Sequence, residues 1–177
     1  MSGAALPPRV AALVARFETI GREVMRELPI YNPALEVEAI GFRAFREGGP
    51  RDEPGSGTEG WLGVLVTPWF MNAILLPERP EPIDWSRVGQ SVEVALPAGP
   101  RTMMIGAEEV IGTYLMLSLH SPMDQFKHQP QARSEAMRQI LALTTPPLEP
   151  EPAPGEPAPV EPALASRRSF LAGGRPA

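Results

Sequence analysis

The sequence predicts an α+β fold: an antiparallel sheet with an N-terminal and a C-terminal helix packed on one of its faces, followed by a disordered proline-rich tail. Three observations carry this. Apolar residues recur at helical spacing near the start of the chain and again near residue 140, strand-like apolar runs fill the interval between, and the composition changes abruptly at Pro146.

Residues 8–28 read as an amphipathic helix, because Val10, Leu13, Val14, Phe17, Val24, Met25 and Leu28 share one face while Arg and Glu occupy the other. Pro7 and Pro8 suit its first turn and Pro29 helps to stop it. A turn at Tyr31-Asn32-Pro33 follows, then a strand from Val37 to Phe45. Residues 47–60 are rich in Gly, Pro and charge and are expected to form a mobile loop. Trp61–Thr67 and Phe70–Leu76 are two short apolar strands or one bent one, punctuated at Pro68. Their nearly continuous apolarity implies burial on both faces or one exposed apolar face.

Val92–Leu96 is a short strand closed by the turn residues PAGP, and Thr102–Ala107 and Thr113–Leu119 make a hairpin around EEVIG. Gln131–Leu143 is the second helix. The folded domain is therefore placed at residues 1–145. Residues 146–177 are a Pro/Glu linker, with eight prolines in the first seventeen positions, leading to the tip SRRSFL.

Composition excludes several classes of function. The formal charge of −5 gives no basic field for nucleic acid, and the absence of Cys removes disulfides, thiolate metal sites and thiol redox chemistry. The N-terminal residues are interrupted by charge and do not form a secretory signal. The longest uncharged run, residues 61–77, is shorter than the roughly 20 apolar residues of a membrane span. A cytoplasmic protein without membrane insertion is expected.

Catalysis has little material. His120 stands beside Ser121, but no nucleophile-elbow motif accompanies them, and Glu108 and Glu109 would point to opposite sides of a strand. No metal-ligand spacing and no phosphate-binding glycine loop is present. No catalytic residue, metal or cofactor is assigned. The more informative material is aromatic and sulfur-rich. A break at Pro68 would leave Trp69, Phe70 and Met71 at a sheet end, partly exposed, with Asn72 offering its amide. Trp61, Trp69, Phe70, Met71, Asn72 and His120 are accordingly the candidate binding residues.

The block GWLGVLVTPWFMNAILLP, preceded by GFRAF and followed by VGQSVEVALPAG and YLMLSLHSPM, resembles the HybE/HupJ family of [NiFe]-hydrogenase assembly chaperones over about residues 8–145. The resemblance implies a chaperone, not an enzyme, whose partner is the precursor of the iron–sulfur small subunit with its twin-arginine signal, and in some systems the large subunit. It implies that export is delayed until maturation is complete. Some relatives are joined to a rubredoxin; with no Cys, this chain holds no such iron site.

Residues 1–145 carry thirteen Lys/Arg and seventeen Asp/Glu, which favours a cationic ligand. Ser166, Arg167, Arg168, Phe170 and Leu171 imitate the head of a twin-arginine signal and lack its apolar body; they are expected to act as a weak self-competitor. Two other classes stand beside the chaperone: an enzyme or small-molecule-binding domain using a sheet-edge site around His120, and a structural subunit of a larger complex.

Overall fold

A computed structural model describes residues 5–47 and 59–148. Helix α1 (Pro8–Ile20) passes into a π-helical turn (Gly21–Met25). Six strands follow: β1 (Glu38–Arg46), β2 (Glu59–Val66), β3 (Met71–Pro77), β4 (Ser91–Leu96), β5 (Gly99–Glu108) and β6 (Gly112–His120). Helix α2 (Gln129–Thr144) follows the last strand. The strands form one sheet in the order β1-β2-β3-β6-β5-β4, every pair antiparallel. The long step from β3 to β4 runs through residues 78–90. The loop expected within residues 47–60 falls largely on 48–58, and the tail with SRRSFL on 149–177; both lie outside the described residues.

The α+β class and the two helices hold, but the helices do not share a face. Val10, Leu13 and Phe17 of α1 pack with Leu65, Ile74, Leu76, Ile111 and Tyr114. Ala132, Ala136, Ile140 and Leu143 of α2 pack with Leu62, Val64, Val66, Met71, Ala73 and Leu75 on the other side. Successive strand residues alternate between the two cores, which is why β2 and β3 lack the usual apolar–polar alternation. Each fully buried Leu or Ile here contributes about 1.5–3 kcal/mol.

The helix expected over 8–28 ends as an α-helix at Ile20. In the π turn the Arg26 N–H donates to Gly21 O, an i→i+5 bond that turns later residues away from the core face. Val24 and Leu28 are exposed as a result. Arg9 holds α1 to the sheet end, its Nη2 donating to Ile111 O at 2.9 Å, and Arg16 pairs with Glu108 at 2.6 Å. On the other face Gly41, at φ +64°, sits where β1 slips register. A Cβ there would stand 2.9 Å from Ile140 Cγ2, so both backbone and packing call for glycine.

The PAGP turn is tighter than its sequence suggests. Leu96 pairs with Gly99, so only Pro97 and Ala98 lie outside the strands, and β5 begins at Gly99 rather than Thr102. The sheet is curled: Glu47, just past β1, reaches the far edge strand, where its Oε1 accepts from Ala95 N at 3.2 Å. Among the described residues no helix is long and apolar enough to cross a membrane.

Candidate functional site

The sequence TPWF forms the tight connection of the β2–β3 hairpin. Thr67 Oγ1 accepts from the N–H groups of Trp69 and Phe70, at 3.3 and 2.9 Å, and Thr67 N donates to Phe70 O. Val66 then pairs directly with Met71. The break at Pro68 is therefore a closed hairpin and not a splayed sheet end, and this corrects the exposure expected of three residues. Met71 resumes the sheet on the α2 side and is fully buried. Trp69 folds under α1 with 6% of its surface exposed. Asn72 is also buried, its Nδ2 3.9 Å from Met116 Sδ and its Oδ1 without a hydrogen-bond partner among the described residues, so its amide is not offered outward. Phe70, Trp61 and His120 are half-buried.

Four rings gather around this turn. Trp69 stacks on Phe17 and Tyr31, with centroids 6.4 and 6.2 Å apart, and Phe70 meets Phe17 and Trp69 edge-on at 5.6 and 5.7 Å. Gly21 opens the space for the indole, since a Cβ there would stand 3.2 Å from Trp69 Cζ3. Asn32 ties three segments together. Its main-chain N–H donates to Pro68 O, and its Nδ2 donates to Met123 O and Phe126 O. Beyond Tyr31 this clamp leaves an open cleft of about 430 Å³ lined by Pro29, Ile30, Tyr31, Pro33, Pro122 and Phe126. Val24, Leu28 and Ile30 expose 59, 44 and 47% of their surface along the same segment.

Sequence reasoning missed these residues. It placed Val24 and Leu28 on a buried helical face and read Tyr31 and Asn32 only as a turn. The available signal was a glycine inside a helical pattern, followed by PIYNP.

His120 does not itself line the cleft beyond Tyr31. Its Nε2 meets Glu135 Oε1 at 3.0 Å, its Nδ1 meets the Gln125 amide at 3.1 Å, and its ring packs edge-on against Phe126. Hydrogen bonds from Arg138, then Gln139 and His120, hold the Glu135 carboxyl down to about 2. This network ties the end of β6 to α2. Ser121 Oγ points to Trp69 O, at 3.5 Å, and not to the imidazole. Among the described residues no group of three or more His, Cys, Asp or Glu is placed to hold a metal ion.

A second cleft, of about 280 Å³, opens at the end of the curled sheet. Val92, Val94, Ile105 and Leu115 line it, and among the described residues Glu47, Glu81, Asp84 and Glu93 stand around it with one cation, Arg87. Asp84 is pulled below the usual carboxylate range by hydrogen bonds from the Ser86 side chain and main chain.

The family model described as "[NiFe]-hydrogenase assembly, chaperone, HybE" matches residues 8–173. Hydrogenase expression/formation protein HupJ of Bradyrhizobium diazoefficiens is 37% identical over 76% of this chain and 70% of its own length. Protein HoxT of Cupriavidus necator is 35% identical over 98% of this chain and 93% of its own. Probable rubredoxin HupJ of Rhodobacter capsulatus is 39% identical over 70% of this chain, a match that spans only 40% of that longer protein. The solution structure of HybE from Escherichia coli superimposes with a TM-score of 0.56, covering 100% of this chain and 96% of that one at 24% identity, and shares its fold.

Proposed function

The chain belongs to the HybE family of [NiFe]-hydrogenase assembly chaperones, and on that premise we propose that it binds the precursor of the iron–sulfur small subunit in the cytoplasm. Binding is through the twin-arginine signal and delays export until maturation is complete. The large subunit is a second client of the same surface. The observation that carries this reading is the apolar segment Val24–Leu28–Ile30, exposed beside an open cleft and backed by the Phe17–Tyr31–Trp69–Phe70 cluster. A signal's apolar body needs such a surface, and a broad open face suits a chaperone better than a closed catalytic pocket. No catalysis is assigned to His120, whose two ring nitrogens are occupied in joining β6 to α2.

The test is capture of small-subunit precursor by the full chain, with and without the signal. Leu28→Ser with Ile30→Ser should leave the fold intact and reduce capture at least tenfold. Equal capture of precursors with and without the signal would overturn signal recognition. Retention of this chain in the mature hydrogenase would mark a structural subunit instead.

A further inference from the structure

The main chain of β4 can be divided by its register. Gln90 O accepts from Ile105 N and β4 pairs with β5 throughout, so residues 90, 92, 94 and 96 turn their main-chain groups toward β5. Ser91, Glu93 and Ala95 turn theirs outward, along an edge that no described strand covers. Ala95 N is taken by Glu47 Oε1. The outward N–H and C=O groups of Ser91 and Glu93 have no partner among the described residues. A row of unmet donors and acceptors on an edge strand is a template for another extended chain.

The cleft of about 280 Å³ reaches β4 at residues 92–94, and its lining mixes the apolar side chains of Val92, Val94, Ile105 and Leu115 with charged groups. It is small for a drug-sized ligand and suits one or two side chains of a peptide. Around it, among the described residues, stand four carboxylates and one guanidinium. Glu47 and Asp84 are engaged with Ala95 N and Ser86, whereas Glu81 and Glu93 have neither ion pair nor side-chain hydrogen bond among the described residues. The edge therefore combines unmet main-chain groups, an apolar slot and two unpaired negative charges.

We propose that β4 receives an extended, arginine-bearing peptide segment as an added seventh strand, its guanidinium groups on Glu81 and Glu93 and an apolar side chain against Val92 and Val94. Arginine fits better than lysine, because its planar fork meets a carboxylate through two hydrogen bonds. The inference rests on the proposed function in identifying that segment as the arginine head of the client's signal. The apolar body then has the surface at Leu28 and Ile30 as its separate contact.

The experiment uses the full chain and an acetylated ten-residue peptide containing Ser-Arg-Arg-Ser-Phe-Leu, with affinity read by fluorescence anisotropy. A Lys-Lys version and two peptides N-methylated on alternate amides, one on each parity, complete the set. The Lys-Lys peptide should bind at least fivefold more weakly. The two methylated peptides should differ at least tenfold, since an added strand presents only one parity of its amides to β4. Glu93→Pro removes an outward N–H without touching the β4–β5 ladder and should weaken binding at least tenfold. Glu81→Gln with Glu93→Gln should weaken binding and flatten its salt dependence, which keeps the test valid if the proline variant does not fold. Equal binding of both methylated peptides, or unchanged affinity in the Gln pair, would overturn the added strand. If those variants still capture signal-bearing precursor at wild-type strength, the proposed function stands and this inference alone falls. If no signal-bearing precursor is captured by the wild-type chain, both fall.

Discussion

Replacing Phe70 with Ala separates surface from core at the aromatic turn. Truncating a fully buried Phe or Trp costs about 3–5 kcal/mol, and Trp69, 6% exposed and stacked between Phe17 and Tyr31, should show the whole of that cost. Phe70 is half-buried, with two edge-on partners at 5.6 and 5.7 Å. Half of that truncation cost, which already includes the lost ring contacts, gives about 2 kcal/mol for Phe70→Ala. Urea unfolding of both variants measures the stability difference. Calorimetric titration with signal-bearing precursor, corrected to the folded fraction, measures the affinity. Phe70→Ala should bind at least tenfold more weakly, a loss of about 1.4 kcal/mol or more, while Trp69→Ala should lose mainly stability. Equal destabilisation by the two variants, with affinity per folded molecule unchanged in Phe70→Ala, would refute the assignment of Phe70 to the client surface.

Met71→Ala should cost about 2–5 kcal/mol in urea with no change in client affinity per folded molecule, because its side chain is wholly buried in the core on the α2 side of the sheet. Asn72→Leu should raise stability by about 1 kcal/mol by thermal or urea unfolding, since it removes a buried oxygen that has no partner among the described residues. His120→Ala should leave hydrogenase maturation intact when scored by hydrogenase activity in cells; a fold-neutral loss of several orders of magnitude would restore a catalytic role. Glu135 has a folded-state carboxyl at about 2, below its ordinary value of 4.5. Its contribution to stability is therefore complete above about pH 4.5 and is lost as pH falls toward 2. Glu135→Gln should flatten that part of the stability–pH curve, read by urea midpoints at successive pH values.

Much of the architecture was legible because strand periodicity is a local signal. The uninterrupted apolarity of residues 61–77 offered burial on both faces as one of two readings, and a packed apolar core on each side of β2 and β3 is what the chain adopts. The side of the sheet taken by each helix was not legible, because it depends on crossovers that no local pattern encodes. The helical stripe was misread past Ile20 for a definite reason. On an unbroken α-helix Val24 and Leu28 fall on the face of Val10 and Phe17, and the i→i+5 bond at Gly21 ends that periodicity. The site suffered likewise. Pro68 was read as a break, but Thr67 supplies the hydrogen bonds that close the hairpin, and closure returns Met71 to the core. Glu81, in the connection between β3 and β4, and Glu93, on β4, line one cleft, a meeting set by the path of that connection and by no local pattern.

The packing of a helix on each side of β2 and β3 bears on how the chain is made. These strands leave the ribosome with α1 already available for one face, but the cover for the other is α2, whose last residue is Thr144. Some 67 residues separate Pro77 from that point, which at roughly 5–20 residues per second is about 3–13 s of synthesis. Throughout that interval Leu62, Val64, Met71, Ala73 and Leu75 lack their native helical cover. A chaperone built this way passes through a stage in which its own apolar surface is open to capture. Synonymous codon changes that slow translation between residues 78 and 128 should therefore raise aggregation of the nascent chain without altering the finished protein.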